Sequence, residues 1–377
     1  MDCRALIVER IRQSGPLTVA DYMDLALYAP GLGYYARAAQ RSGRAGDFVT
    51  SVDSGPLFGL LLADHLAHLL RAIPDQSPTD DALDLVEVAA GNGRLSRDVL
   101  DALEQRHPDL YARVALTLVE RSAEARAAQD VTLAVHAAKL RVSRPELPSR
   151  LRGVLFCNEL LDAMPVHLVE MTPHGLAEVF VDLAGDRLVT RQGPPSTPAL
   201  AEYFALTGVA LPPGARAEVH LAGLDWLRRA ADALVEGALV IIDYGYEAAR
   251  LYGSPHATGT LRTFHRHLAD ASAPDDPAVL PWLVEPGTRD LTTHVDLTAV
   301  KREAERCGLT VSLDTDQTRF LLTAAERSGL LGELEAPERL ADRLVLKTLL
   351  VPGGMGTTHR VLVFERHGRV VNEPPTA

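Results

Sequence analysis

A chain of 377 residues can hold one large domain with insertions or two domains, and 47% hydrophobic with 23% charged residues excludes a disordered or fibrous polymer. A net charge of -12 argues against nucleic acid as the main partner, which would need a basic face. Cys3, Cys157 and Cys307 have neither metal-ligand spacing nor a disulfide framework, no apolar run approaches a membrane span, and Met1-Asp2-Cys3-Arg4 opens neither a signal peptide nor a transit segment.

These features predict a cytoplasmic, soluble protein with no membrane partner and no metal, and they leave a homodimer open. Residues 1–80 read as a helical N-terminal segment. Leu6, Ile7 and Ile11 share one helix face, Thr18-Val19-Ala20-Asp21 is a capping-box pattern, and Pro30-Gly31 stops the helix that follows. After Gly33-Tyr34-Tyr35 comes a polar loop, Gly46-Asp47-Phe48-Val49-Thr50-Ser51, which suits a lid over a ligand or a plain surface turn. An apolar helix is expected over 58–73, then a linker rich in Pro, Asp and Ser over 73–81.

From residue 81 to 377 the pattern alternates. Strands are predicted at 85–89, 114–120, 131–136, 154–158, 238–244, 309–313 and 360–364, with helices at 95–106, 122–129, 223–235 and 297–307. Such alternation means α/β with a mostly parallel sheet. Two insertions interrupt it. The first, about 166–222, holds a hairpin around Pro173-His174-Gly175 and a third strand near 187–191. The second, about 246–296, is rich in His, Pro and Asp and reads as loop.

The chemistry gathers at strand ends. Asp84-Leu85-Val86-Glu87-Val88-Ala89-Ala90-Gly91-Asn92-Gly93-Arg94-Leu95 is a buried strand, a tight turn and a helix start, the first unit of a nucleotide-binding sheet. Ser96 stands where a dinucleotide fingerprint has its third glycine, which disfavours an NAD oxidoreductase. Glu87 inside the strand suits a ligand with an amino or hydroxyl group, such as S-adenosylmethionine. Glu120 ends the second strand, placed to accept both hydroxyls of a ribose.

Asn158-Glu159-Leu160-Leu161-Asp162 leaves the fourth strand beside the topological switch point. No aromatic ring is offered there for stacking on a base. Two carboxylates fit a guanidinium, which they can hold by bidentate hydrogen bonds. The alternative is that Asp162 caps the next turn and Glu159 pairs with a structural arginine. Asp243, ending the next strand before Tyr244-Gly245-Tyr246, lines the site or caps a loop. His265-Arg266-His267 and His294-x-Asp296 lack an identifiable third ligand and read as structural histidines.

Taken together, these residues resemble the MidA-like S-adenosylmethionine-dependent methyltransferases, a family that includes a mitochondrial factor methylating an arginine of a respiratory complex I subunit. The resemblance spans nearly the whole chain. Its blocks are Leu17-Thr18-Val19-Ala20-Asp21-Tyr22-Met23, Gly33-Tyr34-Tyr35, 46–51, Glu87-x-x-x-Gly91-x-Gly93-x-Leu95 and Val119-Glu120-Arg121-Ser122. They continue through 158–166, Asp243-Tyr244-Gly245-Tyr246, Gly259-Thr260-Leu261-Arg262, 291–296 and Pro352-Gly353-Gly354-Met355-Gly356. Two departures stand out: the family's usual Gly-Pro-Gly-Arg-Gly is Ala89-Ala90-Gly91-Asn92-Gly93 here, and its Pro-Glu-Ile-Ser-Gln is Val52-Asp53-Ser54-Gly55-Pro56.

The resemblance implies an α/β, class I (Rossmann-like) methyltransferase sheet with a helical N-terminal segment and a β-rich insertion over the site. It also implies S-adenosyl-L-methionine as cofactor and a protein arginine as acceptor. Cofactor contacts fall on Glu87, Ala89, Gly91, Gly93, Leu95, Glu120, Arg121, Asn158, Thr50 and Ser51. Glu159, Asn158, Asp162 and Asp243 are the catalytic candidates, with Glu159 and Asp162 or Asp243 orienting the guanidinium. The alternatives are a small-molecule methyltransferase on the same fold and a non-catalytic, cofactor-binding assembly chaperone.

Overall fold

Apolar runs bounded by glycine and charge become the strands of one central sheet. The computed structural model describes residues 1–37, 50–74, 82–265, 268–269, 280–350 and 355–367. Residues 46–49 of the expected lid, most of the expected linker, Arg266-His267 and Pro352-Gly353-Gly354 lie outside these.

Seven strands form the main path of the sheet: β1 (Leu83–Val88), β2 (Val114–Val119), β3 (Leu140–Arg144), β4 (Leu151–Asn158), β5 (Leu234–Tyr246), β6 (Thr310–Asp316) and β7 (His359–Arg366), and the short strand Val295–Asp296 pairs with the end of β5. Their spatial order is β3-β2-β1-β4-β5-β7-β6. Neighbours from β3 through β5 pair in parallel, whereas β7 runs antiparallel to both β5 and β6. This is the α/β sheet of class I methyltransferases. The chain winds outward from β1 to β3, then returns to β4 on the other side of β1. That reversal opens a crevice at the carboxyl ends of β1 and β4.

Both faces are covered, as the near-continuous apolar strands require. The helices include α1 (Cys3–Ser14), α2 (Val19–Tyr28), α3 (Leu57–Arg71), α4 (Arg94–Arg106), α5 (Ala123–Thr132), α6 (Leu221–Ala233), α7 (Leu297–Arg306) and α8 (Gln317–Arg327). Leu85, Val154, Phe156 and Val240 pack against α3, α4 and α8. Their strand neighbours Val86, Leu155, Cys157 and Ile241 pack on the other side against α6 and α7. The pleat sends alternate residues to opposite faces, so one apolar strand feeds two cores.

The first insertion is β-rich, as expected. His167–Thr172, Gly175–Ala184, Arg187–Gly193 and Arg216–Val219 form a separate antiparallel sheet. Leu17–Thr18 joins its edge through Val181 and Phe180, which ties the N-terminal helices to the insertion. Thr18 caps α2 by accepting from the Asp21 amide at 3.0 Å.

Two expectations are corrected. Residues 131–136 are not a strand: α5 runs to Thr132 and a short turn, Ala134–His136, follows. The alternation Val131-x-Leu133-x-Val135 suggested a pleat, yet Val131 and Val135 are 81% and 75% exposed, so no sheet face collects them. The third strand is instead β3, an edge strand whose exposed Arg141 its charged sequence conceals. Residues 246–296 are also more than loop, since Arg262–His265 pairs antiparallel with Asp290–Thr292.

Candidate active site

The turn between β1 and α4 is a built cradle. Ala89, Gly91 and Gly93 all have left-handed backbones, with φ of 57°, 51° and 84°. Gly91 is gripped from two sides. Its N–H donates to Glu120 Oε2 at 2.8 Å, and its carbonyl accepts from Gln129 Nε2 of α5 at 2.7 Å. Gln129 is fully buried and itself accepts from Ser143 Oγ of β3 at 2.5 Å. Among the described residues nothing lies within 4 Å of where a Gly91 Cβ would stand. The turn therefore opens onto free space beside a carboxylate.

That carboxylate keeps capacity for a ligand. Glu120 Oε1 also accepts from the Ser122 N–H at 2.7 Å, so each oxygen has one backbone partner. A carboxylate has about four acceptor sites, which leaves room for two hydroxyls. Burial pushes the Glu120 carboxyl upward, partly offset by those two amide bonds. A ligand with a vicinal diol and a positive charge, as S-adenosylmethionine has, matches this pair of acceptor oxygens.

Glu87 works differently from the other acids. It is buried under the turn, where Ser96 Oγ of the first helical turn donates to Oε2. Burial pushes its carboxyl up to about 8. Its observed partner is α4, and so it locks the turn onto the helix. Leu95 points into the core, 3% exposed. Arg121 lies outside on the surface, paired with Asp24 at 2.8 Å and stacked over the Tyr28 ring at 4.5 Å. Thr50 caps the turn Ser51–Ser54 through Asp53, and Asp53 pairs with Arg94 of α4 at 3.2 Å. Ser51 is buried and donates to Gln317 Oε1 at 3.0 Å. Ser51 thus ties the segment to the start of α8, and Asp53 ties it to the first turn of α4.

A second cluster lies at the ends of β4 and β5. Asp243 Oδ2 accepts from the backbone N–H groups of Leu160 at 3.1 Å and Leu161 at 2.8 Å, and more weakly from Asp162 at 3.4 Å. Its other oxygen accepts from its own neighbour, Tyr244, at 2.9 Å. Of the two roles open to it, Asp243 takes that of loop cap. Burial, then the nearby Asp162, raises its carboxyl well above the usual range.

Asp162 is no turn cap. Its Oδ2 accepts from Tyr244 OH and from Thr292 Oγ1, while Oδ1 is buried with no hydrogen-bond partner among the described residues. Burial and the charge of Glu159 push it up to about 6. Asn158 donates through Nδ2 to Glu159 Oε1 at 3.1 Å, and its Oδ1 too is buried without a partner. Glu159 has φ 52°, a costly conformation outside glycine, secured by its N–H donating to Ile242 O at 2.8 Å. Two buried acceptors without partners among the described residues thus lie in the segment that carries Glu159 on its strained backbone.

The two clusters share a roof that sequence reasoning missed. Tyr28 OH at the end of α2 donates to Ala163 O at 2.8 Å, and its ring stacks on Tyr35 at 5.6 Å. Tyr35 OH donates to Asp290 Oδ1 at 2.8 Å. Burial raises the Tyr28 hydroxyl above its ordinary range, and the carboxylates of Asp290, Asp162 and Glu120 push the same way against Arg121. The sequence hint was Gly33-Tyr34-Tyr35. Asp296, by contrast, caps α7 through the Ala299 amide at 3.0 Å, and His294 packs edge-on to Tyr246 at 5.2 Å.

Comparison with known proteins finds methyltransferases. A family model described as "Putative S-adenosyl-L-methionine-dependent methyltransferase" covers residues 61–314. The rat protein "Protein arginine methyltransferase NDUFAF7, mitochondrial" is 30% identical over 347 residues, covering 84% of this chain and 72% of its own. The Drosophila melanogaster homolog is 27% identical over 94% of this chain and 83% of its own. A Burkholderia thailandensis crystal structure bound to S-adenosyl-homocysteine superposes with a TM-score of 0.82 at 32% identity, covering 97% of this chain and 92% of that one.

Proposed function

This chain belongs to the S-adenosyl-L-methionine-dependent methyltransferase family, and from that premise we propose that its acceptor is a guanidinium nitrogen of an arginine in a protein. One observation carries the proposal: Asn158 Oδ1 and Asp162 Oδ1, both buried acceptors without partners among the described residues, flank Glu159. A guanidinium brings five N–H donors in a fixed fork and a permanent positive charge, and so satisfies this set where a neutral hydroxyl acceptor would not. The rat and fruit-fly relatives, named as protein arginine methyltransferases, support the same acceptor class.

When bound, S-adenosylmethionine supplies a methyl group activated by its sulfonium charge. The chain's own residues hold the reactants. Gly91 leaves room for the methionine part, Gly93 turns the chain into α4 with a left-handed backbone, and Glu120 accepts the ribose hydroxyls. Tyr28 and Tyr35 tie the N-terminal segment to Ala163 and Asp290 beside the acceptor cluster. Glu159 and Asp162 hold the guanidinium in line, while Asp243, Tyr244 and Thr292 keep the 160–162 loop and Asp162 in place. Asp243 is accordingly a positioning residue. General-base work is assigned to none of these groups.

The three cysteines are without disulfides, which supports action in a reducing compartment, the cytoplasm. The test is methyl transfer from labelled cofactor into a lysate of a strain lacking the gene. Label in a protein, mapped by mass spectrometry to arginine, is the expected result. Label confined to small molecules would instead make this a small-molecule methyltransferase. Cofactor binding with no transfer would leave a chaperone.

A further inference from the structure

His359 opens β7 directly opposite Tyr244 of β5 in the antiparallel register, which brings a residue from late in the chain to the edge of the carboxylate cluster. Its ring is tilted against Tyr244 at 5.3 Å and is 7% exposed. Nδ1 lies 3.3 Å from Thr358 Oγ1. Nε2 is buried without a hydrogen-bond partner among the described residues, yet it stands 3.6 Å from Glu159 Oε1. A good N–H···O bond is about 2.7–3.2 Å long. The gap is a few tenths of an ångström, and such bonds commonly tighten when a site is loaded.

We propose that His359 is the positioning residue for Glu159. Thr358 Oγ1–H donates to Nδ1, which fixes the tautomer with hydrogen on Nε2, and that N–H closes on Glu159 Oε1. The same oxygen already accepts from Asn158 Nδ2, so two donors from two strands immobilise one edge of the carboxylate. Its other oxygen is left to face the acceptor. Such a clamp has a clear use here. Glu159 sits in a left-handed backbone that is costly outside glycine, and a side chain on so strained a residue needs outside support to hold one direction. The assignment rests on the guanidinium reading, since it is the acceptor that Glu159 would be aimed at.

The variants are His359→Phe, which keeps a ring but removes the donor, and His359→Gln, which keeps an N–H near the Nε2 position. Calorimetry with S-adenosyl-homocysteine should give affinities within about twofold of wild type for both, because Glu120 and the glycine turn are untouched. In methyl transfer to arginine, kcat of His359→Phe should fall about thirty- to a hundredfold with KM changed less than about threefold, an interaction used in the transition state. His359→Gln should keep more than about a third of the rate. His359→Phe added to Glu159→Gln should cost nothing further, as expected for residues that act as a unit.

A spectroscopic arm needs no acceptor: the ¹⁵N resonance of His359 Nε2 should move in Glu159→Gln. A resonance indifferent to Glu159, a wild-type rate in His359→Phe, or losses that simply add would each overturn the assignment. A wild-type protein that methylates no arginine, but whose His359 signal follows Glu159, would refute the acceptor reading alone. If His359→Phe fails to fold, His359→Gln and the resonance decide.

Discussion

Replacing Glu87 by Gln should remove a large part of this protein's loss of stability at alkaline pH. Burial holds the Glu87 carboxyl at about 8, against an ordinary value of 4.5, despite the opposing pull of the Ser96 hydroxyl and amide. The folded value lies above the unfolded one. The folded protein therefore keeps a proton that the unfolded chain releases, and the contribution to stability is complete below pH 4.5 and lost as pH rises through 8. Each unit of difference corresponds to about 1.4 kcal/mol, so between pH 6 and pH 8 this one group should cost about 2 kcal/mol. Glutamine has nearly the same shape, still accepts from Ser96, and has no proton to lose. Asp162 and Asp296, each pushed up to about 6 by burial, titrate in both proteins and cancel in the difference. Denaturant unfolding at pH 6 and pH 8 should show wild type losing about 2 kcal/mol more than Glu87→Gln. Equal losses would mean that Glu87 is ionised in the folded protein and is not simply a buried lock between turn and helix.

Glu120→Ala should weaken cofactor binding by about 1.5–3 kcal/mol, the usual range for hydrogen bonds to a charged group, read by calorimetry with S-adenosylmethionine while NAD gives no heat. Ala89→Gly should raise the unfolding midpoint, because an alanine at φ 57° carries a left-handed cost of about 1–2 kcal/mol that exceeds the entropy glycine adds to the unfolded chain. A lowered midpoint would show that the Ala89 methyl makes a compensating contact. Asp243→Ala leaves the Leu160 and Leu161 amides without their acceptor, and stability should drop by about 1–3 kcal/mol on denaturant titration, with methyl transfer impaired as the 160–162 loop loosens.

Local signals made much of the site legible. An apolar run, a Gly-x-Gly turn and helical spacing lie within a few residues of one another, so the β1–turn–α4 unit could be read from 84–103 directly. Glu120 and Glu159 could be singled out as acids at the ends of buried strands, and the structure puts one on the Gly91 amide and the other beside Asn158. What stayed hidden depends on tertiary registration. The grip of Gln129 on Gly91 needs α5 and β3 to meet over the turn. That Asp243 spends its oxygens on the 160–162 amides follows from β4 and β5 being neighbours, which the sequence leaves open. His359 reaches Glu159 only because the last strand inserts antiparallel beside β5. β3 escaped notice since an exposed edge strand carries charge in place of an apolar pattern, and a false strand was read from Val131 and Val135, which face solvent.

The central claim is that Glu159 serves the acceptor nitrogen and not the cofactor. Single-turnover methyl transfer to arginine in Glu159→Gln, measured beside a cofactor titration, tests it most directly. The substitution keeps the shape and most of the hydrogen bonding but removes the charge that complements a guanidinium. The rate should fall on the order of a hundredfold, about 3 kcal/mol, with cofactor affinity unchanged. A wild-type rate in Glu159→Gln would contradict the account and take this residue out of the site.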